Sequence, residues 1–177
     1  MADTTPVMLQ GKYKVLLFRN MKDTSVNASK LVFQTEHTFS YNREMDAITT
    51  KDGKVIKVGE LEAEVEINAI LARQDPTAEM LQNAMIEGER LELWEVNIDP
   101  ELEDEEGKFP AVYCQGYLEN WEPVSSSEDE AEISSTFRVD RKPQFGRATM
   151  TEEQKEAAQY AFRDTIADDG IGGGVEG

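Results

Sequence analysis

Residues 60–71 read ELEAEVEINAIL, and the first eight alternate without exception, Glu60, Glu62, Glu64 and Glu66 against Leu61, Ala63, Val65 and Ile67. Side chains on a β-strand leave opposite faces with a period of two, so the run predicts a strand with one apolar face and one row of carboxylates. Successive carboxylates in that row stand roughly 6.5–7 Å apart, from a rise of ~3.3 Å per residue. Each adjacent pair repels by roughly 0.6 kcal/mol in water, and by several times that where solvent is displaced. A wet sheet face explains alternation by itself. It does not explain why every polar position is an acid, because Lys or Thr would solvate the face equally well.

Outward from this strand the chain keeps a β character. The strand begins near residue 54, just behind Lys51-Asp52-Gly53, a hairpin turn signal, and residues 38–54 lead into that turn. Upstream, YKVLLFR (13–19) is a short apolar run, NMKDTSVNAS (20–29) is polar turn chemistry, and KLVFQ (30–34) resumes as a strand. Downstream, Asp75 can cap a helix begun by Pro76, with Leu81, Ala84 and Met85 on one face and Gly88 just past its end. Three more strands follow: RLELWEVNI (90–98), AVYCQGYLENWEP (111–123) and AEISSTFRV (131–139). The second places Tyr113, Tyr117 and Trp121 on one face, and the third Ala131, Ile133, Phe137 and Val139. Thr151 and Gln154 form a capping box for a helix ending near Ala167, with the stripe Ala158, Ala161, Phe162, Thr165 and Ile166. Strands that do not alternate regularly with two isolated helices predict a mainly β protein. The expected form is an antiparallel sandwich or barrel with one or two flanking α-helices, in a single domain over residues 1–177. Residues 168–177, DDGIGGGVEG, hold five glycines in ten positions and are expected to be disordered in the free subunit.

Composition limits the partners. Acids outnumber bases 36 to 18, a formal net charge of −18, which disfavours nucleic-acid binding through phosphate neutralisation and docking on an anionic membrane. One cysteine excludes an intrachain disulfide, and one histidine excludes two-histidine metal motifs. Neither a signal peptide nor an apolar run of ~20 residues is visible, so the expectation is a soluble protein of a reducing compartment. The sequon at Asn27 is expected to be chance. Catalytic chemistry finds little to stand on. Cys114 sits mid-strand without a basic neighbour and is expected to be buried and inert, and His37 is expected on the surface or in a turn. The many carboxylates contain no pair that stands out for acid–base work. Asp99, Glu101 and Glu103 resemble the first ligands of a calcium loop, but Gly107 is misplaced for its turn and no closing Glu follows. Residues 99–106 and 125–130 are therefore expected to be exposed acidic loops, and Trp94, Tyr113, Tyr117 and Trp121 core. No catalytic, cofactor or metal residue is assigned.

With these residues in view, the sequence resembles the major tail proteins of long-tailed, non-contractile bacteriophages, the subunits of the tail tube. The resemblance runs from the opening TTPVMLQGKYKVLLFR to the helix TEEQKEAAQYAFRDT. It is carried by the order and spacing of several pieces. These are Leu16-Leu17-Phe18, Phe33-Gln34-Thr35, Thr50-Lys51-Asp52-Gly53 ahead of a glycine-led long strand, the Pro-started helix before a Trp-containing strand, and Gly116-Tyr117-Leu118. It implies a β-sandwich or barrel with a flanking helix, related to other phage tube proteins and those of type VI secretion. It also implies hexameric rings stacked into a hollow tube, with strands of six subunits joined in one inner barrel through which the genome leaves. By position, Asn42, Arg43, Glu44, Met45, Asp46, Lys51, Asp52 and Gly53 would belong to an extended loop, residues 42–53, that bridges subunits and rings. Residues 1–11 would form an N-terminal arm, and residues 140–177 a C-terminal helix and flexible tail. The implied partners are further copies of the chain and tail proteins such as the tape measure, distal tail and tail terminator proteins. DNA would pass without specific binding, no membrane is involved, and no cofactor is implied. The implied location is the virion tail, with the host cytoplasm as the site of assembly.

A conduit for DNA must not hold DNA, and a lumen lined by Glu repels phosphates weakly everywhere where Lys would bind them. Glu60, Glu62, Glu64 and Glu66 are accordingly expected to face the lumen, and the two acidic loops to lie outside and keep finished tubes apart. The alternative from another class is an acidic β-sandwich binding module, calcium-dependent or recruiting a basic partner.

Overall fold

The computed structural model describes residues 6–158. In chain order the elements are β1 (Lys14–Asn20), β2 (Ser29–Lys30), β3 (Gln34–Thr50), β4 (Gly53–Ile70), α1 (Pro76–Glu87), β5 (Leu91–Asn97), β6 (Lys108–Leu118), β7 (Glu122–Val124), β8 (Glu132–Val139), β9 (Gln144–Thr149) and α2 (Glu152–Ala158). The strands form one hydrogen-bonded sheet in the order β2-β1-β5-β6-β8-β4-β3, with β7 beside β8 and β9 beside β6. Every pairing is antiparallel.

Strand β6 is where the sheet divides. Its residues 108–113 pair with β9, while Gly116, Tyr117 and Leu118 pair with β8. From that fork the sheet folds over itself, so that Leu16 and Phe18 of β1 and Leu91 and Leu93 of β5 share a core with Val65 and Ile67 of β4 and Ile133 and Phe137 of β8. Ala78, Leu81 and Ala84 of α1 close the same core. This is the expected antiparallel sandwich with flanking helices. A second cluster, with Val15, Leu17, Val96, Ile98, Phe109 and Met150, lies on the other side of β1 and β5.

The first helix starts and stops as its sequence requires. Asp75 accepts from the backbone N–H of Thr77 at 2.9 Å, Pro76 opens the helix, and Gly88 ends it in the left-handed region at φ 66. Asp75 also accepts from the N–H of Val32 at 3.1 Å, so a carboxylate only 5% exposed holds the helix to the turn after β2. Replacing Asp75 with Ala leaves two donors without acceptors and should cost about 2 kcal/mol, with Asp75→Asn recovering part of it. Urea denaturation checks this, and a loss under about 0.5 kcal/mol would show the cap to be dispensable. The capping box of α2 is present in both directions, Thr151 N–H to Gln154 Oε1 at 3.0 Å and Gln154 N–H to Thr151 Oγ1 at 3.3 Å. The apolar stripe and helix end expected beyond residue 158, and the glycine-rich terminus, lie outside the described residues.

Two expected strands are shorter than their composition suggests. KLVFQ is not a strand: β2 stops at Lys30, Leu31 turns into the core, and Phe33 takes a positive φ of 54. The Gln34 side chain supplies what a longer strand would have, accepting from Leu16 N–H at 3.0 Å and donating to Leu16 C=O at 2.7 Å. AVYCQGYLENWEP breaks after Leu118, where Asn120 accepts from Thr136 N–H through its side chain and from the Ser135 hydroxyl through its carbonyl, both at 2.7 Å. Trp121 packs on the first core and Trp94 on the second, but Tyr117 is 41% exposed, because the inward positions of β6 are Cys114, Gly116 and Leu118.

Candidate functional site

The alternation in β4 is realised in space. Ala63, Val65 and Ile67 are buried, whereas Glu60, Glu62 and Glu66 are exposed and Glu64 is half-buried. Across β3 the acids face uncharged rungs, Glu62 opposite Asn42, Glu64 opposite Ser40 and Glu66 opposite Thr38. Across β8, Glu66 faces Thr136 and Glu64 faces Arg138. The outer face of β8, β4 and β3 is thus a polar sheet with a central acidic row. Arg138, which sequence reading did not single out, sits beside that row. Its guanidinium reaches Glu64 at 2.6 Å and Glu119, at the end of β6, at 3.0 Å. Those carboxylates hold its pKa above the ordinary guanidinium value, the bond to Glu119 contributing most.

Beyond this face β3 and β4 run on together. The pairing of β4 with β8 ends at Ala63, and past it the two strands form a ribbon whose residues 41–58 are all exposed. A register shift between Arg43 and Met45 bends the ribbon, and Gly59 is what permits it: a Cβ there would stand 2.8 Å from the carbonyl oxygen of Glu44. Residues 42–53, expected as an extended loop, are paired strand over most of their length. Asn42, Arg43, Glu44, Met45 and Asp46 belong to β3, Lys51 and Asp52 make the turn, and Gly53 opens β4 at φ 124. One ribbon face carries the rungs Met45–Val58 and Ala47–Ile56, the other Ile48–Val55 and Asp46–Lys57. Met45, Ile56 and Val58 are each more than half exposed. A two-stranded ribbon is marginal in water, and the body of the subunit gives these aligned apolar side chains no cover.

Away from the ribbon, where β3, β4 and β8 all pair, lies a contact the sequence concealed. His37 stands in β3 opposite the core-facing Ile67, so it points inward instead of occupying the surface or a turn. Its Nε2 meets Glu95 Oε2 of β5 at 2.7 Å, and Lys14 Nζ stands 3.6 Å from Glu95 Oε1. The partners are 58 residues apart, and no local pattern announces the pair. Burial pushes the Glu95 carboxyl up, but the His37 bond and the Lys14 charge together hold it below the ordinary carboxylate value. A carboxylate held low stabilises the fold above its unfolded pKa of about 4.3, and that contribution drains away as pH falls below it. Acid titration of urea stability should therefore show a smaller loss between pH 5 and 3, on the order of this range, in Glu95→Gln than in the parent. Equal losses would mean that other carboxylates carry the acid response. Cys114 is 3% exposed with its pKa pushed up to about 12, first by burial and then by Glu95, an inert buried thiol as expected.

The acidic loop after β5 is tied down. Glu103 pairs with Lys155 at 3.2 Å, Asp104 with Arg147 at 2.7 Å and Glu106 with Lys108 at 2.9 Å, while Asp99 accepts from Glu101 N–H at 3.1 Å. Residues 125–130 are exposed throughout.

Comparison with known proteins bears directly on this arrangement. A family described as phage tail tube proteins matches residues 8–145. A putative tail protein of Staphylococcus phage phiMR25 is 28% identical over 170 residues, which is 94% of this chain and 88% of that protein. The tail tube protein gp17.1* of Bacillus phage SPP1 is 27% identical over 138 residues, 76% of this chain and 50% of that protein. Among solved structures, the SPP1 tail tube aligns with TM-score 0.72 at 18% identity, covering 97% of this chain and 95% of that one. The tail of an empty gene transfer agent particle, with C6 symmetry, aligns with TM-score 0.62 at 16% identity over 78% of this chain and 99% of that one. The family match spans most of the chain and the fold agrees with it, so the protein belongs to the phage tail tube family, as a structural component of the virion tail.

Proposed function

We propose that copies of this chain assemble into hexameric rings stacked as a tail tube, with the acidic face of β8, β4 and β3 turned to the lumen as the conduit for the genome. The observation that carries the reading is a single hairpin with two surfaces. Its inner half shows solvent the row Glu60, Glu62, Glu64 and Glu66, and its outer half is a ribbon with exposed apolar rungs set among charged residues, projecting past the body. The ribbon needs a partner, and the acidic row needs solvent. A tube lets one strand satisfy both. The C6 tail of the gene transfer agent, built on a similar fold, supports six copies per ring. On this reading residues 42–53 bridge rings, with residues 1–11 and 140–177 as further bridging arms. Within the last span, Gln144–Thr149 is strand β9, paired to β6 of its own chain. Tape measure, distal tail and tail terminator proteins would bind the tube's lumen and ends, and subunits would assemble in the host cytoplasm. The reading assigns no catalytic step.

Six strips of four acids place carboxylates around each ring. Screening over ~8–10 Å keeps their field near the wall, which centres a duplex without blocking it. Substituting Glu62→Lys and Glu66→Lys tests the reading and leaves the Glu64–Arg138 pair intact. Tubes of the parent should retain no short duplex DNA, whereas tubes of the variant should retain it at low salt and release it steeply as salt rises. Cryo-electron microscopy of the same tubes places the strip. An outward-facing strip would sink the conduit assignment, and a protein that forms neither rings nor tubes at any concentration or salt would sink the assembly.

A further inference from the structure

Strands β1, β5, β6 and β9 carry an apolar groove of about 530 Å³ on the face away from the first core. The rungs Leu17–Trp94, Trp94–Tyr113 and Ala111–Gly146 lay these residues along its floor. Trp94 and Tyr113 are half-buried, with their rings 5.1 Å apart. Above β9 the groove is open, since a Cβ on Gly146 would meet nothing within 4 Å. Helix α2 starts at its rim. Thr151 and Gln154 line the groove, and Gln154 Nε2 donates to the carbonyl of Ala28, a further lining residue, at 3.1 Å. Lys155 Nζ stands 5.7 Å from the Phe109 ring centroid. Glu152, Glu153 and Glu156 are exposed, so the helix face turned to the body is the one that carries Gln154 and Lys155.

The sequence past the described helix keeps that phase. A helix returns to the same face after seven, eight and eleven residues. From Gln154 those steps reach Ala161, Phe162 and Thr165, and from Lys155 steps of seven and eleven reach Phe162 and Ile166. The exposed face continues likewise, from Glu152 to Gln159 and from Glu156 to Arg163. A helix from Gln154 to Ile166 rises about 18 Å, and the groove follows β9 from Gln144 to Thr149 for about 17 Å. We propose that residues 159–166, which lie outside the described residues, continue α2 across this groove of their own subunit, with Phe162 and Ile166 filling it. Tethering decides between occupants: these residues follow directly from the rim, so their effective concentration at the groove far exceeds that of a free segment. Val7, Met8 and Leu9 are also exposed but line no part of it, and neither β3 nor β4 of the ribbon contributes a residue to it. The docking goes beyond the assembly reading and narrows the arm assigned there, leaving only residues past 166 to reach a neighbour.

Hydrogen exchange of the full chain, read by mass spectrometry at a concentration where it is monomeric, tests the docking. A lone helix of this length is marginal in water, so lasting protection needs a surface to pack on. Amides of residues 159–166 should exchange at least about tenfold more slowly than unstructured chain. Phe162→Asp/Ile166→Asp should abolish that protection. So should Gly146→Glu, which puts a carboxylate into the groove where the backbone has room for it. Both variants should leave α1 and β4 as protected as in the parent, which shows that each still folds. Fast exchange of residues 159–166 in the parent overturns the proposal. Protection that survives Gly146→Glu in a folded chain also overturns it, by placing the helix elsewhere. Protection seen only at concentrations where copies associate overturns it by giving the groove to a second copy. A chain that forms no tubes loses the assembly reading and leaves this docking standing, because the exchange is measured on the monomer.

Discussion

Gly116→Ala should be the most damaging single substitution in this fold. A Cβ at that position would lie 1.8 Å from the carbonyl oxygen of Arg138 and 2.8 Å from its carbonyl carbon. These are backbone atoms of the strand to which β6 must pair, so no rotamer change relieves the clash. Moving β8 back by enough to admit a methyl group would open the rungs Gly116–Val139 and Leu118–Phe137. The same shift would pull Phe137, fully buried, out of register with Leu93 and Val65 in the core. Overpacking in a rigid interior costs about 1–3 kcal/mol, and losing sheet rungs at the fork adds to it, for a total of roughly 4 kcal/mol or more. For a chain of this size that lowers the melting temperature by about 10 °C or causes accumulation in inclusion bodies. Gly59→Ala makes a graded comparison: its close neighbour at 2.8 Å is a backbone oxygen on the free ribbon, which has room to bend. A Gly116→Ala protein melting within about 2 °C of the parent would mean that the fork yields far more readily than a packed sheet should.

What the sequence revealed, and what it hid, divides by the range of the interaction. Strand β4 was legible because its alternation is a local record of which face is wet, and Ala63, Val65 and Ile67 are buried as read. The helix caps at Asp75, Gly88 and Thr151 were legible for the same reason, since each is a bond within a few residues. The errors come where a distant partner overrides local preference. Apolar KLVFQ reads as strand, but Gln34 completes the edge of Leu16 from 18 residues away, and the chain is free to turn. His37 looks like a surface residue until Glu95, a strand of the opposite layer, meets it. Residues 38–54 carry little alternation in sequence, and over the ribbon the reason is also physical. A ribbon with both faces in solvent has no buried side to impose alternation, so apolar residues stand on both faces. The acidic row was visible as chemistry; Arg138 beside it was not, because its place depends on the register of β8 against β4.

The ribbon carries the largest expected effect on assembly. Met45→Ser, Ile56→Ser and Val58→Ser together remove the three large apolar side chains of one face, leaving Ala47, the backbone rungs and the charge unchanged. In the monomer these side chains are more than half exposed and lie beyond the reach of β8. Their removal should therefore leave the melting temperature within about 2 °C of the parent. In a tube the same side chains would leave water, and each buried side chain is worth about 1.5–3 kcal/mol. Losing three at every contact should raise the concentration needed for assembly by more than about a hundredfold, in practice abolishing rings and tubes. Ile48→Ser with Val55→Ser, on the opposite face, separates the two sides: if only one pair of faces is covered by a neighbour, only one variant fails. Tubes forming from the triple variant at the parent's concentration would show that the ribbon is no interface. A monomer that melts well below the parent would show that the ribbon folds back on its own subunit, and the apolar surface would then belong to the fold and not to the assembly.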